Sequence, residues 1–162
     1  MNWKRWLVGE SPGRTVVRGL FIGAVVLAVS RTLLLPIRAT GISMLPTFHD
    51  GQLLFFNTLA YRWTEPARGD IAAIAFEPDV AVLVKRIVAL PGERLRIDGG
   101  VVYIDGVALQ ESYVQNRQPW SLDEVQLEPN DYFVIGDNRG MAMRNHTLGA
   151  VSREELVGRL AF

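Results

Sequence analysis

The sequence predicts a mainly β fold: twisted antiparallel sheets in a small, barrel-like domain, preceded by one N-terminal transmembrane helix. Three observations predict it. From Leu53 onward, short apolar runs rich in β-branched residues alternate with Gly, Pro and Asp turns, the punctuation of strands rather than helices. Ahead of them, basic residues precede one long apolar stretch that ends at Pro36. The 162-residue chain is 49% hydrophobic and 21% charged, the balance of a single globular domain.

The elements follow in order. Lys4, Arg5, Arg14 and Arg18 precede the apolar run Gly19 to Ser30; Arg31 interrupts it, and Thr32 to Leu35 resume it. Val16 to Leu35 is about 20 residues, the length that crosses ~30 Å of hydrocarbon as a helix. Arg31, near the far end, can snorkel to the headgroups. The upstream cations place the N-terminus in the cytoplasm and everything after Arg31 outside. The chain then divides into a cytoplasmic segment 1–14, a signal-anchor 15–35 and an extracytoplasmic β-rich domain 36–162. Two other readings fit the same residues: a cleavable secretory signal ending at Ala28-Val29-Ser30, and a buried core helix.

Downstream, Leu53 to Phe56 reads as a strand. Arg68-Gly69-Asp70 turns into a strand over Ile71 to Phe76, and Ala81 to Leu90 is a longer β-branched run closed by Pro91-Gly92. Leu95 to Ile97 and Val101 to Ile104 flank Asp98-Gly99-Gly100, a hairpin connection. Asp105-Gly106 turns into Val107 to Leu109, and Tyr132 to Ile135 is a strand closed by Gly136-Asp137-Asn138. Gln115 to Asn130, polar with two prolines, reads as a surface loop or extension. Ser152-Arg153-Glu154-Glu155 fits a capped turn.

Composition removes several function classes. With 17 basic and 17 acidic residues the formal charge is zero, leaving no electrostatic footprint for nucleic acid. The chain has no cysteine, so a thiolate nucleophile, a disulfide framework and cysteine zinc sites are excluded. His49 and His146, its two histidines, make no multi-histidine metal site.

A nucleophile search rests on serine. Ser43 lies just beyond the apolar stretch, two residues after Gly41 and three before Pro46. Glycine permits positive φ or close backbone approach, and proline stiffens the chain. The pattern suits a serine held at a fixed angle and suits an ordinary turn as well. A serine nucleophile needs a base. His49 is near in sequence, and His146 with Asp137 completes an imaginable triad. Lys85 is the other candidate. It shares a strand face with Ala81, Leu83, Ile87 and Ala89, an apolar setting that lowers an ammonium pKa. Arg86 faces the other way with Val82, Val84 and Val88. Periodicity leaves open which cation points inward, but arginine stays protonated and cannot act as a base. Both could equally be half-exposed charges on a sheet edge.

These residues also carry a resemblance. GISMLPT at 41–47, RGDIAAI at 68–74, VKRIVALPGERL at 84–95 and GDNR at 136–139 resemble, in order and approximate spacing, the boxes of type I signal peptidases. RTLLLPIRA at 31–39 looks like that family's anchor junction, and the similarity runs from about residue 20 to 158. It implies a mainly β catalytic domain on the outer face of the plasma (inner) membrane, touching lipid, with no cofactor and no metal. It implies Ser43 as nucleophile and Lys85 as general base. Exported preproteins with small residues before the cleavage site would be the substrates, bound as an added strand beside Ile42, Met44, Leu83 and Val84. The Ser43 N–H would hold the oxyanion. Gly41, Pro46, Asp70, Arg86, Gly136, Asp137, Asn138 and Arg139 would support the site.

Departures from the family pattern qualify this. Gly41 stands where many members carry a serine whose hydroxyl is an oxyanion donor. In the last box, Ala142, Arg144, Asn145 and His146 replace serine, aspartate, serine and arginine, while Gly149 is kept. They motivate two alternatives: a non-catalytic membrane-anchored binding or scaffold protein with a peptidase fold, and a specialised processing peptidase for one export system. Self-cleaving repressors share such a dyad, but their N-terminal DNA-binding domain is not matched by an apolar N-terminal stretch in a chain of zero formal charge.

Overall fold

The computed structural model describes residues 12–76 and 82–161. It divides between Leu34 and Leu35 into two compact units. The first holds α1, a 22-residue helix over Pro12–Leu33. Among the described residues no helix is long and apolar enough to cross a membrane. The helix stops at Leu33 and Leu34–Arg38 form strand β1; Pro36 cannot donate an intrahelical bond. The expected cytoplasmic residues Lys4 and Arg5, and the expected snorkelling side chain of Arg31, lie outside what is described.

The second unit is built on strands β2 (Leu53–Asn57), β3 (Ile71–Ile74), β4 (Leu83–Ala89), β5 (Arg94–Asp98), β6 (Val101–Ile104), β7 (Val107–Ala108), β8 (Leu122–Gln126), β9 (Asp131–Ile135), β10 (Gly149–Ser152) and β11 (Leu156–Leu160), with a short helix α2 (Ala60–Trp63). They form two sheets, one of seven strands in the order β1-β2-β11-β3-β4-β9-β10 and one of four in the order β7-β6-β5-β8. Neither closes, so the barrel-like expectation resolves into two open antiparallel sheets. The β5–β6 hairpin has the expected register, Asp98 opposite Val101. Arg153–Glu155 form a 3-10 turn with a reciprocal Ser152–Glu155 capping box, the cap expected there.

Apolar burial ties these elements into three clusters. Val88, Ala89, Phe133 and Ile135 of the large sheet pack on Leu95, Ile97 and Val102 of the small one, with Trp120 and Leu127. Those last two correct the view of 115–130 as a surface loop: β8 within it pairs with β5, and the buried Trp120 and Leu127 flank that strand. A second cluster joins Ala72, Ile74, Ile87, Val134 and Val151 to Ala60 and Tyr61 of α2. Met44, Phe48, Leu54, Phe56, Ile71 and Ala73 form the third.

Register fixes the faces of β4. Lys85 opposes Ala72, Leu83 opposes Ile74 and Ile87 opposes Val134, so these residues share one face. A register shift between Ile87 and Ala89 breaks the alternation, as a bulge does, and Ala89 joins Val88 in the cluster between the sheets. Ala89 therefore does not share the lysine's face as expected; Ala81 lies outside the described residues.

Candidate active site

The serine segment is shaped by its own residues. Gly41 has φ +85°, a conformation open to glycine at little cost. Its N–H donates to Asp50 Oδ1 at 2.7 Å. Ile42 is exposed, while Met44 is buried in the third cluster and anchors the segment beside Ser43. Pro46 follows a cis peptide bond.

The Gly136–Arg139 turn at the end of β9 grips this segment from behind. Asn138 N–H donates to the Ser43 carbonyl at 3.0 Å, and Asn138 Nδ2 donates to the Ile42 carbonyl at 2.9 Å. A Cβ on Gly136 would overlap the Ser43 carbonyl oxygen, so this position demands glycine for closeness, not for φ.

β4 brings the two cations to different partners. Lys85, 4% exposed, donates from Nζ to Ser43 Oγ at 2.7 Å. Arg86 clamps Asp137 through Nε at 2.9 Å and a terminal nitrogen at 2.6 Å, and reaches the Gly69 carbonyl at 2.8 Å. Asp137 also accepts from Thr47 Oγ1 at 2.5 Å. Burial pushes the Lys85 ammonium below the ordinary lysine value, and Asp137 acts in the opposite direction. Desolvation wins because the carboxylate's charge is already engaged by Arg86.

Behind the clamp lies a second polar layer. The Arg86 guanidinium stacks 4.0 Å from the Tyr113 ring. The Tyr113 hydroxyl donates to Glu111 at 2.9 Å, and Glu111 is paired with the buried Arg139. Asp70 serves the turn entering β3, accepting from Ala67 N–H at 3.1 Å.

His146 enters beside the same turn. Its Nε2 lies 2.7 Å from the Asn138 carbonyl; a carbonyl only accepts, so Nε2 carries a proton. Burial holds its pKa below the usual histidine value; the bond to Asn138 opposes this, and Lys85 and Arg139 add to it. Trp120 meets the ring edge-on at 4.7 Å. The triad imagined from His146 and Asp137 is not formed, since Asp137 is engaged by Arg86 and Thr47. His49 meets Gln52 through its backbone.

The arrangement joins a serine hydroxyl to a desolvated amine at the edge of a cleft. That cleft is lined by Ile37, Gly41, Met44, Phe48, Leu83 and Val84, together with Ser43 and Lys85. Among the described residues no group of three His, Cys, Asp or Glu side chains could hold a metal ion.

Residues 13–162 match the family model described as signal peptidase, peptidase S26. The chain belongs to the signal peptidase family. It is 34% identical over 125 residues to a probable signal peptidase I-2 of Synechocystis sp., covering 72% of this chain and 56% of that protein. A signal peptidase I of Leptolyngbya laminosa is 33% identical over 72% of this chain and 62% of its own length. The chain thus spans less than two thirds of these relatives. Against signal peptidase I T of Bacillus subtilis it is 32% identical, covering 86% of this chain and 81% of that one.

Sequence reasoning missed Thr47, Asp50, Glu111, Tyr113 and Trp120. Thr47 stood within the serine segment, a weak signal; the others sit in loops and left no local pattern.

Proposed function

We propose that this chain is a membrane-bound serine endopeptidase that releases N-terminal signal peptides from exported preproteins, with Ser43 as nucleophile and Lys85 as general base. The observation that carries this is the 2.7 Å contact between Lys85 Nζ and Ser43 Oγ, made by a lysine that burial biases toward its neutral form. With the amine neutral, the serine O–H donates to the nitrogen lone pair.

Substrate lies extended along β4 at Leu83–Val84, ahead of the pairing with β9 that starts at Arg86, and opposite Gly41–Ile42, as an added strand. Ser43 Oγ attacks the carbonyl after a small residue seated against Met44, and its proton passes to Lys85. The Ser43 N–H faces the developing oxyanion. The Lys85 ammonium then protonates the leaving nitrogen as the C–N bond breaks, and the released amine is the new N-terminus. Lys85 next takes a proton from water as the water attacks the Ser43 ester, and returns it to Ser43 Oγ as the ester bond breaks and the signal peptide is freed. Asp137, Arg86, Asn138, Arg139 and Gly136 hold the serine segment against β4.

Anchoring rests on α1. Val16, Val17, Leu20, Phe21, Ile22, Val25, Val26 and Leu27 are all exposed; at 100° per residue they project around the whole helix. A helix apolar all round belongs in lipid or against other apolar surface. The domain from residue 36 then faces the exterior.

Purified chain in detergent should cleave a preprotein, and Ser43→Ala or Lys85→Ala should abolish cleavage; full activity in either variant sinks the dyad. The non-catalytic alternative is favoured by Ala142 and Arg144 in the last box. It predicts no adduct on Ser43 with a serine-directed acylating inhibitor, read by intact mass.

A further inference from the structure

Lys85 lines two clefts. One contains Ser43 and Met44; the other lies on the lysine's far flank, walled by Leu83, Val134, Thr147, Leu148, Gly149 and Ala150. We infer that this second cleft seats the first side chain of the released protein, the residue immediately after the scissile bond, and selects there for small or apolar uncharged residues. The inference rests on the peptidase reading above and names a substrate subsite that the dyad itself does not require.

Two physical constraints place the leaving residue there. The first is proton balance. Forming the Oγ–C bond and breaking C–N leaves a nitrogen that must gain a proton, and the proton held by Lys85 is the one taken from Ser43. The leaving nitrogen must therefore come within hydrogen-bonding distance of Nζ, and the chain attached to it must leave alongside Lys85. The second is strand parity. Consecutive side chains of an extended peptide point to opposite faces. If the residue before the scissile bond points toward Met44 and Val84, members of the third cluster, the next points to the opposite face of β4. That is the face of Leu83 and Lys85, which oppose Ile74 and Ala72, and Ile74 and Leu83 are walls of the second cleft.

Selectivity follows from the lining. Ile74, Phe76, Leu83, Val134, Leu148 and Val151 are apolar, and Lys85 is the one charged side chain among the lining residues. When Lys85 has taken the serine proton, a Lys or Arg side chain in the cleft meets a like charge with no carboxylate to offset it. An Asp or Glu there would stabilise the ammonium and retard its release of the proton. Thr147 is exposed at the mouth, where bulk closes the cleft without touching Ser43.

The test uses the full chain in detergent and two substrates with one acyl peptide: a peptide continuing past the scissile bond, and a methyl ester ending there. Thr147→Trp should lower the ratio of kcat/KM for peptide over ester by about tenfold or more. Ester turnover reports that the variant is folded. Peptides with Ala, Leu, Lys or Asp at the first leaving position should rank Ala and Leu well above Lys and Asp in wild type. An unchanged ratio in Thr147→Trp, or a flat ranking, overturns the subsite while leaving the dyad standing. Wild type that hydrolyses neither substrate overturns the peptidase reading, and the subsite with it.

Discussion

Gly136 backs directly onto Ser43: a methyl group there would overlap the Ser43 carbonyl oxygen and come within 3.1 Å of His146 Cε1. Both obstacles are held in place, the carbonyl by Asn138 N–H and the imidazole by the Asn138 carbonyl. Gly136→Ala must push the serine segment away from Lys85. Preprotein cleavage should fall by about 100-fold or more, with about 1–3 kcal/mol lost in denaturant melts.

The pH profile carries the lysine's signature. Lys85 acts as a base only when neutral, so kcat/KM should rise with pH through its pKa, which burial places below the ordinary lysine value. Stability has the same sign. Between the depressed folded value and the ordinary unfolded one, the unfolded state binds more protons, so stability rises with pH across that window. Lys85→Met should remove that slope and gain on the order of 1 kcal/mol near neutrality, measured by chemical denaturation at a series of pH values.

Asp137 acts on that profile from one residue beyond Gly136. It raises the Lys85 pKa against the effect of burial, so Asp137→Asn should shift the acid limb of the kcat/KM profile to lower pH. The same change strips Arg86, whose side chain is 12% exposed, of its carboxylate. A cost of about 3–5 kcal/mol in unfolding free energy is expected. A stability loss with an unmoved limb would falsify the electrostatic coupling.

His146 is a positioning residue through a single N–H. His146→Ala removes the donor to the Asn138 carbonyl and should cut kcat by about tenfold with little change in KM. His146→Gln, whose amide can donate to the same carbonyl, should recover most of it. Equal defects in both variants would show that ring packing on Trp120, not the hydrogen bond, matters.

Anchoring by α1 is tested without touching the catalytic unit. Full-length chain should stay with the membrane pellet in alkaline carbonate. Phe21→Arg with Val25→Arg, each costing about 3 kcal/mol at a helix centre, should move it to the supernatant.

Much of this protein was legible in one dimension. Strand identity followed from β-branched runs between Gly and Asp turns: β2, the β5–β6 hairpin and β9 lie where local pattern put them, and the capping box at Ser152 announced itself. The candidate dyad was legible because Ser43 and Lys85 each sit in a motif with family resemblance and because arginine cannot serve as a base. Short strands without alternation, such as β1, β8, β10 and β11, left too little periodicity to be seen. Sequence parity alone could not say whether Lys85 or Arg86 faces the serine, since both flanking faces are apolar. Tertiary structure decided that by supplying Asp137 and Thr47 on one face and Ser43 on the other. It also showed what Gly136 is for, and that Glu111, Tyr113 and His146 stand behind the site. Local propensity is written in neighbouring residues; the partners of a buried charge come from segments tens of residues away, and only packing brings them within a hydrogen bond.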